Sequence, residues 1–278
     1  MIINGQKIAQ NILNRLKRQV SVLKKKGVIP KLAVVLVGQD KPSLAYIYQK
    51  EKACRKVGID FKFYQFSKNI STHKLCQKIK NIQRQKLSGL IVQLPLPRHL
   101  NTQTVLDSVA PKIDVDCLTS YNVGKLATGT AELIPPTCGA IMDLLKIYKI
   151  NLKGKHVVMV GRGDLVGKPL SILLTQKHIT LTVCTKFTRN LGKLTKEADI
   201  LISGVGKPNL IKANMVKRGV VVIDAGFYKR NREIYGDVDF SKVVKKASKI
   251  TPVPGGVGPM TVAKLLENVV KLASLSQK

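Results

Sequence analysis

The sequence predicts an α/β protein with mainly parallel strands, divided into two domains. Three observations carry that reading. Helical and strand periods alternate along the whole chain. Short β-branched runs such as residues 32–37 are apolar at every position, as strands covered on both faces are. After Lys155 the rhythm restarts, with a strand at 156–160 running into a glycine-rich turn and then a helix.

Taken in order, Ile8, Ile12, Leu16, Val20 and Leu23 recur at helical spacing, and Gly27 is placed to end that helix. Residues 32–37 form a strand. Ser43 is the expected cap of a helix reaching Val57, with Gly58 after it. Phe61 and Phe63 mark a strand, and another helix follows Ser71. Residues 89–94 read as a buried strand stopped by Pro95 and Pro97, and residues 107–136 as irregular. Beyond 156–160 come a helix over 167–178 and strands at 180–185, 200–203 and 220–224. A helical run over 261–275 closes the chain. We expect residues 1–138 with 262–278 to form one domain and 139–261 the other, joined near 138–150.

Composition narrows the class. The 278 residues are 44% hydrophobic, an ordinary value for a globular protein. Their apolar runs are far too short to span a bilayer, and the first residues lack a signal-peptide layout. Five scattered cysteines never adopt a Cys-x-x-Cys spacing, and four histidines show no metal-ligand pattern. No metal, no membrane and a reduced cytoplasm are therefore expected. The net charge of +32 suggests nucleic acid, but the lysines are spread over nearly every element rather than gathered in one arm. We read the excess as the background of an A+T-rich genome, expect no nucleic-acid partner, and note that it would attract an acidic small substrate.

Two sites carry chemistry. The strand 157–160 enters Gly161-Arg162-Gly163-Asp164-Leu165-Val166-Gly167, and a strand entering a glycine turn that opens a helix is the Rossmann phosphate site. A plain strand-to-helix turn would share these glycines. Residues 170–196 lack any Asp or Glu for ribose hydroxyls and offer Lys186 and Arg189, which with Arg162 favour NADP over NAD. In the N-terminal half, Tyr46 and Lys50 lie four apart on one helix face. Gln93 is a polar residue at the end of an apolar strand, where open α/β sheets place ligands. Asp114 and Asp116 stand in a protein poor in carboxylates. Near the C-terminus, residues 251–261 combine three prolines with three glycines in a stretch that suits neither helix nor strand.

These motifs together resemble the bifunctional methylenetetrahydrofolate dehydrogenase/methenyltetrahydrofolate cyclohydrolase family. The matching runs are Ser43-x-x-Tyr46-x-x-x-Lys50, the 89–97 strand, Asp114-Val115-Asp116, Tyr121-Asn122-Val123-Gly124, the 160–169 turn and the 252–261 loop. The resemblance covers essentially the whole chain. It implies an N-terminal α/β catalytic domain and a Rossmann-type NADP-binding domain with a cleft between them. It also implies NADP-dependent oxidation of 5,10-methylenetetrahydrofolate to the methenyl form, then hydrolysis to 10-formyltetrahydrofolate. Either activity alone is the nearest alternative, and a basic nucleic-acid-binding protein on the same fold the remoter one.

By position, the resemblance makes Lys50 the general acid/base, oriented by Gln93, with Tyr46 stacking on the folate ring and Asp116 accepting pterin N–H groups. Val92, Leu94, Pro254, Gly255, Gly256, Val257, Gly258, Pro259 and Met260 would line the substrate, the loop glycines leaving room for it. Gly161, Arg162, Gly163, Lys186 and Phe227 would hold NADP, and a homodimer through the cofactor domain is implied. The chain departs from the usual pattern at Cys117, where glycine is common, and at Gly163, where serine is. Pro135 to Cys138 exchange proline and cysteine, and Phe227-Tyr228 replaces an Ile-Asn pair.

Overall fold

The computed structural model describes residues 1–230 and 233–275. The chain forms two compact units, one of Gln10–Pro136 with Val262–Lys278 and one of Met1–Ala9 with Thr137–Thr261.

In the first unit, helix α1 (Gly5–Lys25) buries Ile12, Leu16, Val20 and Leu23, and Gly27 follows with φ 79°. Strand β1 (Lys31–Val37) is buried from Leu32 onward. Helix α2 (Lys41–Val57) is capped by Asp40, not by Ser43: the Asp40 carboxylate accepts the Ser43 N–H at 2.9 Å. A carboxylate there also meets the positive end of the helix, and Pro42 occupies the first turn, where its missing N–H costs nothing. Gly58 ends α2 with φ 92°. Strand β2 (Asp60–Phe66) and helix α3 (Thr72–Ile82, capped by Ser71) lead to strand β3 (Gly89–Val92). The sheet order is β2-β1-β3, all parallel.

The stretch expected to be irregular is largely ordered. Helix α4 (Thr102–Asp107), a 3-10 turn at Pro111–Ile113 and helix α5 (Ser120–Ala127) run through it. Each is too short for a hydrophobic period to show. Their caps, Asn101 and Thr119, were the legible signals.

The chain re-enters the second unit with helix α6 (Pro136–Ile147), where a linker was expected. It continues through β4 (His156–Val160), α7 (Gly167–Thr175), β5 (Thr180–Cys184), α8 (Leu191–Glu197) and β6 (Ile200–Ser203). A 3-10 turn at Ala213–Met215 precedes β7 (Val221–Asp224) and the antiparallel pair β8 (Tyr228–Arg230) and β9 (Glu233–Tyr235). Last come α9 (Phe240–Val243) and β10 (Lys249–Ile250); helix α10 (Val257–Leu275) starts in this unit and from Val262 onward belongs to the first. The main sheet has the order β10-β7-β6-β4-β5, all parallel. Chain direction across the sheet therefore switches at β4, which has β5 on one side and β6 on the other.

Two boundaries differ from expectation. The first nine residues belong to the second unit: Ile3 donates its N–H to the Ile250 carbonyl at 2.8 Å, and the Met1 ammonium reaches the Ser248 carbonyl at 2.7 Å. Helix α10 starts at Val257, inside the proline–glycine segment that was expected to be non-helical. Pro259 is tolerated there because the first turn of a helix leaves its N–H groups without intrahelical acceptors.

Candidate active site

Helix α2 presents Tyr46, Lys50 and Cys54 at four-residue spacing, so one face carries all three. Gln93 is the first residue after β3, and its own N–H, donated to the Val35 carbonyl at 2.8 Å, continues the sheet register. Its side chain is buried and oriented at both ends. The Nε2 group donates to the Leu94 carbonyl at 2.8 Å, which leaves Oε1 to accept from Lys50 Nζ at 3.0 Å. Lysine is thus held by a neutral acceptor that fixes its position without adding charge.

Asp116 is delivered by a clamped loop. Asp114, itself buried, accepts the Thr119 N–H and the Asn122 side-chain amide, each at 2.9 Å. The Val115 carbonyl takes the Asn268 amide at 2.9 Å. Gly89 packs so closely that a Cβ on it would stand 2.7 Å from Val115 Cγ1. Cys117 follows at φ 57°, in the left-handed region that favours glycine, so the expectation of a glycine at this position has a backbone reason.

Burial dominates the electrostatics. It lowers the pKa of Lys50, against the opposing attraction of Asp116 and Cys54. It raises that of Asp116, against the attraction of Lys50 and with help from the repulsion of Asp114. Lys50 and Asp116 are therefore within electrostatic reach, and each is pushed toward its neutral form. Burial also pushes the Cys54 thiol up to about 12 and raises the Tyr46 phenol. The arrangement supplies an amine that sheds its proton more easily than free lysine and cannot wander.

In the second unit, β4 runs into a turn that admits only glycine at two points. Gly161 has φ 102°, and a Cβ there would lie 2.7 Å from the Gly204 carbonyl oxygen. A Cβ on Gly167, at the start of α7, would lie 2.1 Å from the Gly161 oxygen. The turn closes on itself and leaves the N-terminus of α7 at its mouth, a seat that fits a dinucleotide pyrophosphate. A Cβ at Gly163 would meet nothing within 4 Å, so the departure from serine there is not sterically required. Arg162, Lys186 and Arg189 are exposed around the turn and the end of β5, and the Lys186 ammonium lies 4.9 Å from the centre of the Phe187 ring. Phe227, partly buried, follows Gly226 beyond β7.

The 252–260 segment belongs to this unit, and its glycines serve the loop itself. A Cβ at Gly256 would stand 2.5 Å from the Pro252 oxygen and 2.7 Å from the Thr251 Cβ, while the Gly256 oxygen would meet a Cβ on Gly5 at 1.9 Å. Gly255 has φ 104°. Packing within the loop thus already excludes a side chain at Gly256, and the positive φ disfavours one at Gly255. Gly258, with open space around it, is the exception. Val257 and Met260 are buried, whereas Pro254 is exposed. Among the described residues no cluster of His, Cys, Asp or Glu could hold a metal ion, and no helix is long and apolar enough to cross a membrane.

Sequence reasoning passed over the anchoring role of Asp114 and the buried pair Asp224 and Asp237. The scarcity of carboxylates, 16 in all against 48 Lys and Arg, was the available signal.

A doubly wound parallel sheet with a pyrophosphate turn, joined in one chain to a unit presenting a desolvated and oriented lysine, defines a dinucleotide-dependent enzyme with an acid–base centre. Residues 3–116 match the family model for the tetrahydrofolate dehydrogenase/cyclohydrolase catalytic domain, and residues 135–277 that for the NAD(P)-binding domain of the same family. The chain belongs to the tetrahydrofolate dehydrogenase/cyclohydrolase family. It is 47% identical to the bifunctional protein FolD of Nautilia profundicola, over 98% of this chain and 96% of that one. The crystal structure of the Campylobacter jejuni bifunctional enzyme FolD is similar with a TM-score of 0.95, at 40% identity, covering 99% of each chain. The Trypanosoma brucei enzyme, solved with NADP cofactor and an inhibitor, gives 0.96 at 32% identity, over 100% of this chain and 98% of that one.

Proposed function

We propose that this chain oxidises 5,10-methylenetetrahydrofolate with NADP and hydrolyses the methenyl product to 10-formyltetrahydrofolate. The observation that carries the reading is the Lys50 Nζ to Gln93 Oε1 bond of 3.0 Å around a lysine whose pKa burial has lowered. NADP, when bound, supplies the hydride acceptor. The residues that hold it are Gly161, Arg162 and Gly163 at the turn, with Lys186 and Phe227 beyond β5 and β7. In the hydrolytic step Lys50 takes a proton from the water that adds to the methenyl carbon and returns it to the ring nitrogen as its bond to that carbon breaks, while the hydroxyl proton leaves to solvent as the formyl C=O forms. Gln93 keeps the amine in line. Tyr46 offers an aromatic face to the folate ring, and Asp116 accepts pterin N–H groups, which favours its ionised form and offsets the cost of burial. Val92, Leu94 and the exposed edge of the 254–260 segment complete the proposed folate contacts.

The direct test follows absorbance with 5,10-methylenetetrahydrofolate and either NADP or NAD. Methenyl formation with NADP followed by methenyl loss is the expected result, and absence of turnover with both cofactors would remove the dehydrogenase from the proposal. Replacement of Gln93 by methionine keeps its bulk and removes the acceptor. It is expected to cut the hydrolytic kcat about tenfold, the worth of a lost hydrogen bond of about 1.4 kcal/mol, with little change in NADP KM.

Gly163→Ser restores a hydroxyl where space is open. It is expected to lower the NADP KM roughly threefold, measurable in the same assay. We further propose a cytoplasmic homodimer that binds neither nucleic acid nor membrane. Strand β5 supports the dimer, since it ends the main sheet and carries half-buried Leu181 and Val183. Light scattering at twice the monomer mass of 30.6 kDa is the expected outcome.

A further inference from the structure

We infer that Asp237 is a positioning residue for the dinucleotide, fixing through its buried carboxylate the loop 204–207 that walls the cofactor crevice. The inference rests on the Gly161 turn being the pyrophosphate seat. In an open parallel sheet the ligand crevice lies at the carboxyl ends of the strands, where the strand order switches. Here that point is the junction of β4 with β6, and the loop after β6 abuts the turn after β4, as the Gly161 to Gly204 approach shows.

Asp237 is fully buried and takes four donors. Its Oδ2 accepts the Ser203 hydroxyl and the Val205 N–H, both at 2.7 Å, and its Oδ1 accepts the Gly206 and Lys207 N–H groups, both at 2.8 Å. Three successive backbone amides are thus gathered on one carboxylate, which determines the course of the loop. Val205, at the tip, has an apolar side chain that remains 46% exposed beside the crevice, a surface suited to the flat half of a dinucleotide.

Asp237 is itself held. Its N–H donates to Asp224 Oδ1 at 3.1 Å, and Asp224 also accepts the Gly226 and Val238 N–H groups at 2.9 Å each. Two glycines admit the pair: a Cβ on Gly226 would stand 2.2 Å from Asp237 Cγ, and one on Gly236 would stand 2.1 Å from Asp224 Oδ2. Burial, with a contribution from Asp237, raises the Asp224 pKa to about 7, so the second carboxyl is readily neutralised beside the first. The loops after β6 and β7 are tied to one another through these two side chains.

Asp237→Asn tests the assignment. Asparagine has one accepting oxygen, so its NH2 group must face two of the four donors, and part of the loop is released. The expected result is an NADP KM raised roughly tenfold, while hydrolysis of supplied 5,10-methenyltetrahydrofolate, assayed without NADP, stays within about twofold. An unchanged NADP KM in a folded variant, or equal losses in the two activities, would overturn the inference and leave Asp237 a structural residue. Should Asp237→Asn fail to fold, Ser203→Ala decides: it removes one donor, and the NADP KM is expected to rise about threefold with hydrolysis unchanged. An unaltered NADP KM in that variant counts against the proposal. A wild-type enzyme without NADP turnover would instead sink the functional reading on which the inference stands.

Discussion

Replacing Lys50 by methionine is expected to lower methenyl hydrolysis by about a thousandfold, the range typical of a removed general acid/base and close to 4 kcal/mol of barrier. Hydride transfer needs positioning rather than a proton acceptor, so the dehydrogenase is expected to fall far less. Lys50→Arg is expected to fail almost as badly, because a guanidinium keeps its proton at any usable pH. In the wild type, burial lowers the Lys50 pKa, so the neutral amine appears at a lower pH than in free lysine. Hydrolysis should therefore rise with pH through that lowered value, and the rise should be absent in both variants.

The sign of the stability effect separates lost chemistry from lost fold. With its folded pKa below the unfolded one, protonated Lys50 costs the native state stability, and that cost fades as pH rises from the folded value toward the unfolded value. Methionine removes the cost at neutral pH. Thermal unfolding of Lys50→Met should occur no lower than in the wild type. A variant that hydrolysed normally would show that the proton passes through another group.

How much of this was legible in the sequence depends on the length of the signal each feature leaves. Strands β4 and β6 could be bounded from their apolar runs, and Gly58 from its place after an amphipathic stretch. Helices α4 and α5 could not, since six or eight residues hold too little periodicity. The cap at Asp40 was passed over for Ser43 because both are good caps, and only the fold decides which carboxyl or hydroxyl meets a free N–H. At the candidate site, Gln93 was readable as a polar residue at an apolar strand end, and Lys50 as sharing a helix face with Tyr46, its role coming from the family resemblance. Their mutual hydrogen bond was not, as it joins residues 43 apart. Gly256 was readable as glycine, but the close approach of Gly5 to it was not, since it joins segments far apart in the chain.

Gly167→Ala is expected to do the reverse of Lys50→Met, removing hydride transfer and sparing hydrolysis. The added Cβ would stand 2.1 Å from the Gly161 oxygen, 2.7 Å from its carbon and 2.9 Å from Arg162 Cα. All three are backbone atoms, so no side chain can rotate away, and the turn between β4 and α7 must open. That opening displaces the N-terminus of α7 from the pyrophosphate, and the amides and helix dipole that favour phosphate lose their aim. The dehydrogenase kcat/KM for NADP is expected to fall by about a hundredfold or more, as misplacement of an ångström in a positioned reactant does. The fluorescence titration of NADPH should weaken in parallel. Hydrolysis of supplied methenyl substrate, which involves no dinucleotide, is expected to stay within about twofold, since Lys50, Gln93 and Asp116 all lie in the other compact unit. Normal NADP kinetics in a folded Gly167→Ala protein would mean that the pyrophosphate sits elsewhere, whereas loss of both activities with retained folding would mean that the two reactions depend on one another through this turn.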